Sequence, residues 1–287
     1  MAAANPQEPE PRPKEGTFAG RGGLELFYRA WLPRGTPRSA VVLVHGVNEH
    51  TGRYANVVGP LVAKGHAVYG MDLRGFGLSK GTRAHIDRWA DYREDLAELL
   101  RLVRSQQSGR PLFLYGHSMG AMIVLDYAIR EPSGLRGVIA SGTPIEPSGV
   151  AKAYLVAIAR ILSNALPKLS MRLPVESRDL SRDPAVARAY DEDPLVTRKV
   201  TVRWATESLD VLEFIKADAQ RLPMPVLILH GEVDRMAALS GARWLLGAIP
   251  GADKELKVYA GGYHEPHNDL EHERVLADVA SWLDAHL

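Results

Sequence analysis

The feature that most constrains this chain is an apolar run, Leu112-Phe113-Leu114-Tyr115, that ends in Gly116-His117-Ser118-Met119-Gly120 and passes at once into an apolar helical pattern. A Gly-x-Ser-x-Gly sequence alone carries little information, because glycine and serine are common residues. Placed between a strand and a helix it reads as a nucleophile elbow. The serine then sits at a strained turn, and Gly116 and Gly120 let the two backbones pass closely, so that Ser118 Oγ is lifted clear of the sheet. Pro111 starts the strand, and Met122, Ile123, Leu125, Tyr127 and Ile129 supply a mostly buried helix. Met119 would open that helix with its N–H aimed at any oxyanion beside Ser118.

The chain has 287 residues, a length that α/β folds commonly organise as one core with an insertion. Its 35 Lys and Arg balance 34 Asp and Glu, and no dense basic block is present, so nucleic acid is not an expected partner. The absence of cysteine excludes disulfides, thiolate catalysis and sulfur-based zinc sites. The histidines have no metal-ligand spacing, and neither a metal nor a cofactor is expected. The first sixteen residues lack the basic and apolar regions of a secretory signal and read as a disordered tail. No apolar span reaches transmembrane length; the closest, Gly149 to Leu166, is interrupted by Lys152, Arg160 and Asn164. A soluble, cytoplasmic protein is the expectation.

Alternation in Leu24 to Trp31, preceded by Gly22-Gly23, predicts an antiparallel hairpin at a sheet edge. Short apolar runs at Ala40–Val44, Ala67–Met71, Leu112–Tyr115, Gly137–Ala140, Val226–Leu229 and Leu256–Tyr259 read as buried strands. Helical patterns at Tyr54–Lys64, Trp89–Arg104, Met119–Arg130, Ser240–Ala248 and Glu271–Ala285 separate most of them, which predicts an α/β fold with a mostly parallel central sheet flanked by helices. Between Thr143 and Leu222 the alternation stops, and Pro147, Pro167, Pro174, Pro184 and Pro194 punctuate a helical composition. The expected division is a tail over 1–16, a core over 17–143 and 222–287, and an inserted helical cap over 144–221. The cap's first helix, about Val150 to Leu166, gathers Lys152, Arg160, Ser163 and Asn164 in one sector and is apolar elsewhere. It is expected to be buried between cap and core, or to act as a lid that lines an acyl tunnel or touches lipid, and the two roles are compatible.

A serine hydroxyl needs a general base and a group that orients it. With the chain order Ser, then Asp or Glu, then His, the acid is expected after Val226–Leu229, where the sequence reads His230-Gly231-Glu232-Val233-Asp234. Asp234 is preferred to Glu232, which directly follows the turn glycine, and to Asp72. The base is expected after Leu256–Tyr259, in Gly261-Gly262-Tyr263-His264-Glu265-Pro266-His267. His264, immediately beyond the glycines, is preferred to His267 and His272. A second oxyanion donor beside Met119 is expected from His45-Gly46-Val47, where Gly46 would let the N–H of Val47 face Ser118.

Three segments together resemble the monoacylglycerol lipase group of α/β-hydrolases, also described as lysophospholipase-like or serine-aminopeptidase-like. His45-Gly46-Val47-Asn48-Glu49-His50-Thr51-Gly52-Arg53-Tyr54 is similar to that family's HGxGEHxGRY segment, Asp72 to Ser79 to its DxxGxGxS segment, and Gly116 to Gly120 to its GHSMG elbow. The resemblance implies Ser118, Asp234 and His264 as a triad, Val47 and Met119 as oxyanion donors, and Glu49, Arg53 and His267 around the glycerol end of a monoacylglycerol. Glu49 and Arg53 could equally pair with each other to hold the loop. The implied function is hydrolysis of a small-molecule acyl ester through an acyl-enzyme. A lysophospholipase or general carboxylesterase is the alternative, and a catalytically dead lipid-binding protein the rival from another class. Three departures stand out: Asn48 replaces the usual glycine beside the oxyanion loop, Ala121 replaces a second elbow glycine, and no proline follows Asp234. Oligomeric state has no sequence signal.

Overall fold

A computed structural model describes residues 12–146, 153–173 and 175–287. The chain opens with β1 (Lys14–Ala19) and β2 (Glu25–Trp31), joined through Gly22 and Gly23, both at positive φ. The hairpin pairs antiparallel from Lys14↔Ala30 to Ala19↔Glu25. Strand therefore begins inside the segment expected as tail, because ladder bonds to β2 and the Glu15–Arg29 ion pair at 3.0 Å hold residues with little apolar surface. Residues 1–11 of that segment lie outside the described residues.

Next come β3 (Ser39–Val44), α1 (Ala55–Ala63), β4 (His66–Met71), α2 (Ala90–Gln106), β5 (Leu112–His117), α3 (Met119–Arg130) and β6 (Gly137–Ser141). Beyond the insertion follow β9 (Val226–Gly231), α7 (Leu239–Ala248), β10 (Lys254–Tyr259) and α8 (His272–Ala285). The sheet order is β1-β2-β4-β3-β5-β6-β9-β10, antiparallel for β1 with β2 and β2 with β4 and parallel elsewhere. Alternation assigns each strand residue to one of two cores. Val41, Leu43, Phe113, Tyr115 and Leu227 pack with α1 and α8, whereas Val42, Val44, Leu114, Val138 and Ile228 pack with α2, α3 and α7. Continuous apolar runs are what a sheet covered on both faces requires.

The insertion comprises α4 (Ala153–Ala165), β7 (Ser170–Arg172), α5 (Pro184–Glu192), β8 (Lys199–Thr201) and α6 (Val202–Asp218). The β7–β8 ladder was not anticipated, since three-residue strands carry no readable period. Asp183 caps α5 by accepting from Ala185 N, with Pro184 at the first helical position, and Thr201 caps α6 by accepting from Trp204 N.

The orientation of α4 corrects one expectation. Its polar sector lies along α6: buried Ser163 Oγ is 2.9 Å from Thr206 Oγ1, half-exposed Arg160 pairs with Asp210 at 2.6 Å, and Arg203 donates to Ser163 O, so side chains of α6 satisfy that sector. The apolar side faces out, with Tyr154 at 59%, Leu155 at 45%, Ile158 at 49% and Ile161 at 68% exposure. The helix is thus neither buried between cap and core nor a wall of the main cavity. The part of the expected helix before Ala153, with Lys152, lies outside the described residues.

Candidate active site

Ser118 joins β5 to α3 with φ 52 and ψ −118, a conformation that costs a non-glycine residue about 1–3 kcal/mol. Its N–H donates to Ser141 O at 2.8 Å. The flanking glycines are required by contact. A Cβ on Gly120 would come within 2.0 Å of Val44 O, and one on Gly116 within 2.4 Å of Gly120 O. Helix and strand therefore cross at backbone distance, and Ser118 projects from the crossing.

His264 Nε2 lies 3.0 Å from Ser118 Oγ, and His264 Nδ1 lies 2.8 Å from Asp234 Oδ2. Asp234 follows β9, where its other oxygen accepts from Met236 N and Ala237 N at 2.8 and 2.9 Å. Burial would raise the Asp234 pKa, but His264 and those amides lower it below the usual carboxylate value. Burial likewise pulls the His264 pKa down, and the Asp234 carboxylate more than offsets this, leaving it above 6.5. The rivals are engaged elsewhere. Glu232 accepts from Gly261 N in an exposed loop, Asp72 accepts from Thr51 N, Thr51 Oγ1 and Leu78 N, and His272 Nδ1 contacts Asp269 O at the start of α8.

Val47, Met119, Ser118 and His264 line one cavity of about 330 Å³, whose other walls include Met122, Pro144, Leu173, Trp204, Leu209 and Leu212. Met119 is the first residue of α3, so its N–H is among those a helix leaves without an internal partner. Gly46 approaches Ser118 so closely that a Cβ there would meet Ser118 Cβ at 3.3 Å. A second, smaller pocket of about 20 Å³ opens from the same serine; it is polar along one wall, formed by Glu49, Arg53 and Glu265, while Val175, Leu180, Tyr190 and Met236 form the other. The two share Val47, Ser118, Val175, Met236 and His264.

Glu49 and Arg53 are paired at 2.6 Å, and both face this pocket. Glu49 also accepts from Gly46 N at 2.6 Å and Tyr54 OH at 2.7 Å, which ties the polar pocket to the loop carrying Val47. His267 does not line either cavity. It is fully buried, stacked on Tyr54 with centroids 4.9 Å apart, and edge-on to His117 at 4.8 Å. Burial, then the neighbouring histidine, lowers both His117 and His267 to about 3 and keeps them neutral.

Three contributors carried no usable sequence signal. Glu265 grips Arg53 through both oxygens, His117 packs against His264 at 4.9 Å, and Tyr190 of the cap lies under the Arg53 guanidinium at 4.9 Å. Adjacency to His264 was the one hint available for Glu265. Among the described residues no group of three or more His, Asp or Glu is arranged to hold a metal ion, and no helix is long and apolar enough to cross a membrane.

Comparison with known proteins adds four findings. The family model described as serine aminopeptidase, S33 (Hydrolase_4) matches residues 35–271. A monoacylglycerol lipase of Mycolicibacterium smegmatis is 37% identical over 277 residues, covering 95% of this chain and 98% of that protein. The human monoglyceride lipase is 31% identical over 265 residues, covering 91% of this chain and 87% of its own. Among solved structures, the monoacylglycerol lipase of Paleococcus ferrophilus superposes with a TM-score of 0.84 at 32% identity, covering 92% of this chain and all of the other.

Proposed function

The chain belongs to the serine aminopeptidase S33 (Hydrolase_4) family of α/β-hydrolases, and from that premise we propose that it is a monoacylglycerol lipase with Ser118 as nucleophile, His264 as general base and Asp234 as the group that orients it. It is an ester-hydrolysing enzyme. The observation that carries the finer reading is the meeting of an apolar cavity and a polar pocket at Ser118. An acyl chain in the first and an alcohol in the second put the ester carbonyl over Oγ.

In this reading Ser118 Oγ attacks the carbonyl carbon and its proton passes to His264 Nε2, while Asp234 stabilises the imidazolium. The N–H groups of Val47 and Met119 receive the oxyanion. Collapse expels glycerol, which takes the proton from His264, and water repeats the cycle on the acyl-enzyme. Glu49 and Arg53 offer an acceptor and a donor to a diol, with His267 supporting them through Tyr54 rather than by contact. The polar pocket holds roughly one water. Glycerol is larger than this, so the reading requires the pocket to widen as substrate binds.

The charge of Arg53 is already balanced by two carboxylates, Glu49 and Glu265, which disfavours a phosphate and hence a lysophospholipid while leaving guanidinium N–H groups for a neutral diol. The outward apolar face of α4 suits transient contact with a lipid surface, from which a monoacylglycerol would be drawn. The test is one hydrolysis panel: monoacylglycerols of several lengths, a diacylglycerol, a lysophospholipid and a short p-nitrophenyl ester, with Ser118→Ala as control. Preference for monoacylglycerols that vanishes in the control supports the reading. Activity on short activated esters alone makes the protein a general carboxylesterase, and an unlabelled Ser118 after fluorophosphonate treatment makes it a binding protein.

A further inference from the structure

Asn48 stands next to Val47, at φ 66 and 1% exposed. Asparagine enters this left-handed region more readily than other side-chain-bearing residues, and unlike glycine it brings an amide. The cap meets that amide. Thr197, between α5 and β8, donates through Oγ1 to Asn48 Oδ1 at 2.8 Å and through its N–H to Asn48 O at 3.1 Å. A second stitch lies two residues on, where His50 Nε2 is 2.8 Å from Asp193 Oδ2. On its core side the same loop is held by Leu73 N–H, which donates to His45 Nε2, and it is braced internally by Gly46 N–H, which donates to Glu49. Val47 therefore sits in a turn clamped from below by the core and from above by the cap.

We propose that Asn48 and Thr197 are positioning residues for the oxyanion loop, so that seating of the cap at this end sets the direction of the Val47 N–H. The inference rests on the reading of Val47 as an oxyanion donor. It makes the cap a contributor to the chemical step as well as to acyl binding. A loop freed from Thr197 keeps its φ and its core contacts and loses its fixed aim, which an oxyanion donor needs at the moment of reaction.

The test compares wild type, Thr197→Val, Thr197→Ser, Asn48→Gly and the Thr197→Val/Asn48→Gly double variant, by kcat and KM on a monoacylglycerol and by binding of an acyl trifluoromethyl ketone, whose adduct mimics the oxyanion. Loss of one hydrogen bond predicts a kcat about 3- to 10-fold lower in Thr197→Val, with KM within about twofold and ketone affinity reduced by the same factor as kcat. Thr197→Ser should keep wild-type values, and the double variant should lose no more than the worse single one. A raised KM with unchanged kcat, or additive losses in the double variant, overturns the proposal and leaves Thr197 a packing residue. A wild-type protein that neither turns over the substrate nor binds the ketone overturns the site reading itself, and the coupling with it.

Discussion

Glu265 holds Arg53 with both carboxylate oxygens, at 2.8 and 2.9 Å, from the position directly after His264. One backbone step thus separates the proposed general base from the anchor of the polar pocket. Burial would raise the Glu265 pKa, and the Arg53 guanidinium reverses this and holds it far below the usual carboxylate range.

Glu265→Gln should therefore destabilise the protein by about 3–5 kcal/mol, because it leaves a buried guanidinium short of one charge partner. Urea denaturation reads the loss. The same variant should raise KM for monoacylglycerols more than for a p-nitrophenyl ester, since only the former uses the polar pocket. An unchanged midpoint in urea would show that Glu49 alone suffices for Arg53.

Asp234→Asn should lower kcat by roughly 10³–10⁴-fold while keeping the fold. In wild type, kcat/KM should fall as pH drops through the raised pKa of His264, because the base must be neutral to accept the Ser118 proton. Removing the carboxylate takes away what raises that pKa, so the acid limb of the residual activity should move to lower pH. A pH–rate profile checks both, and an unmoved limb would assign the titration to another group.

Stability should decline as pH falls below 6.5. His117 and His267 are pushed to about 3 in the folded protein by burial, so from 6.5 downward the unfolded chain binds protons that the folded one refuses. Below about 4.5 Glu265 adds to the decline, since its depressed pKa gives stability that is lost on acidification. His264 acts the other way and only above 6.5, its stabilisation being lost as pH rises through its raised pKa. Denaturant midpoints between pH 4.5 and 6.5 measure the slope, and His267→Phe should reduce it by close to one proton.

Gly120→Ala should cost about 3 kcal/mol or more or prevent folding, because its Cβ has only 2.0 Å to the fixed carbonyl of Val44. Ala121→Gly, one residue on, should cost only about 1–2 kcal/mol through helix propensity and one buried methyl. Thermal melts compare the two. Equal effects would mean that the elbow is not held at backbone distance.

Ile158→Glu with Ile161→Glu should weaken binding to phosphatidylcholine vesicles without changing turnover of a short soluble ester, since these side chains face outward and line neither cavity. Vesicle co-sedimentation is the direct measurement. Undiminished sedimentation would move any lipid contact to another face.

What the sequence determined by itself is local chemistry and period. Apolar runs located the strands of the parallel part of the sheet, although β10, read as buried from Leu256–Tyr259, is an edge strand in which only Tyr259 is buried; Gly116 and Gly120 marked the elbow, and chain order singled out Ser118, Asp234 and His264, which the fold brings within 3.0 Å of one another in pairs. Each of these signals lies within a few residues or follows from strands ending at one edge of a parallel sheet. Only the tertiary structure decided which way α4 faces, because an amphipathic helix says that it has two sides and not which side finds polar partners; here Thr206, Asp210 and Arg203 of α6 claimed the polar one. It also decided the clamp of Asn48 by Thr197, 149 positions away, the grip of Glu265 on Arg53 and the retreat of His267 behind Tyr54. These are contacts between remote side chains, and their energy depends on distances that no local pattern encodes.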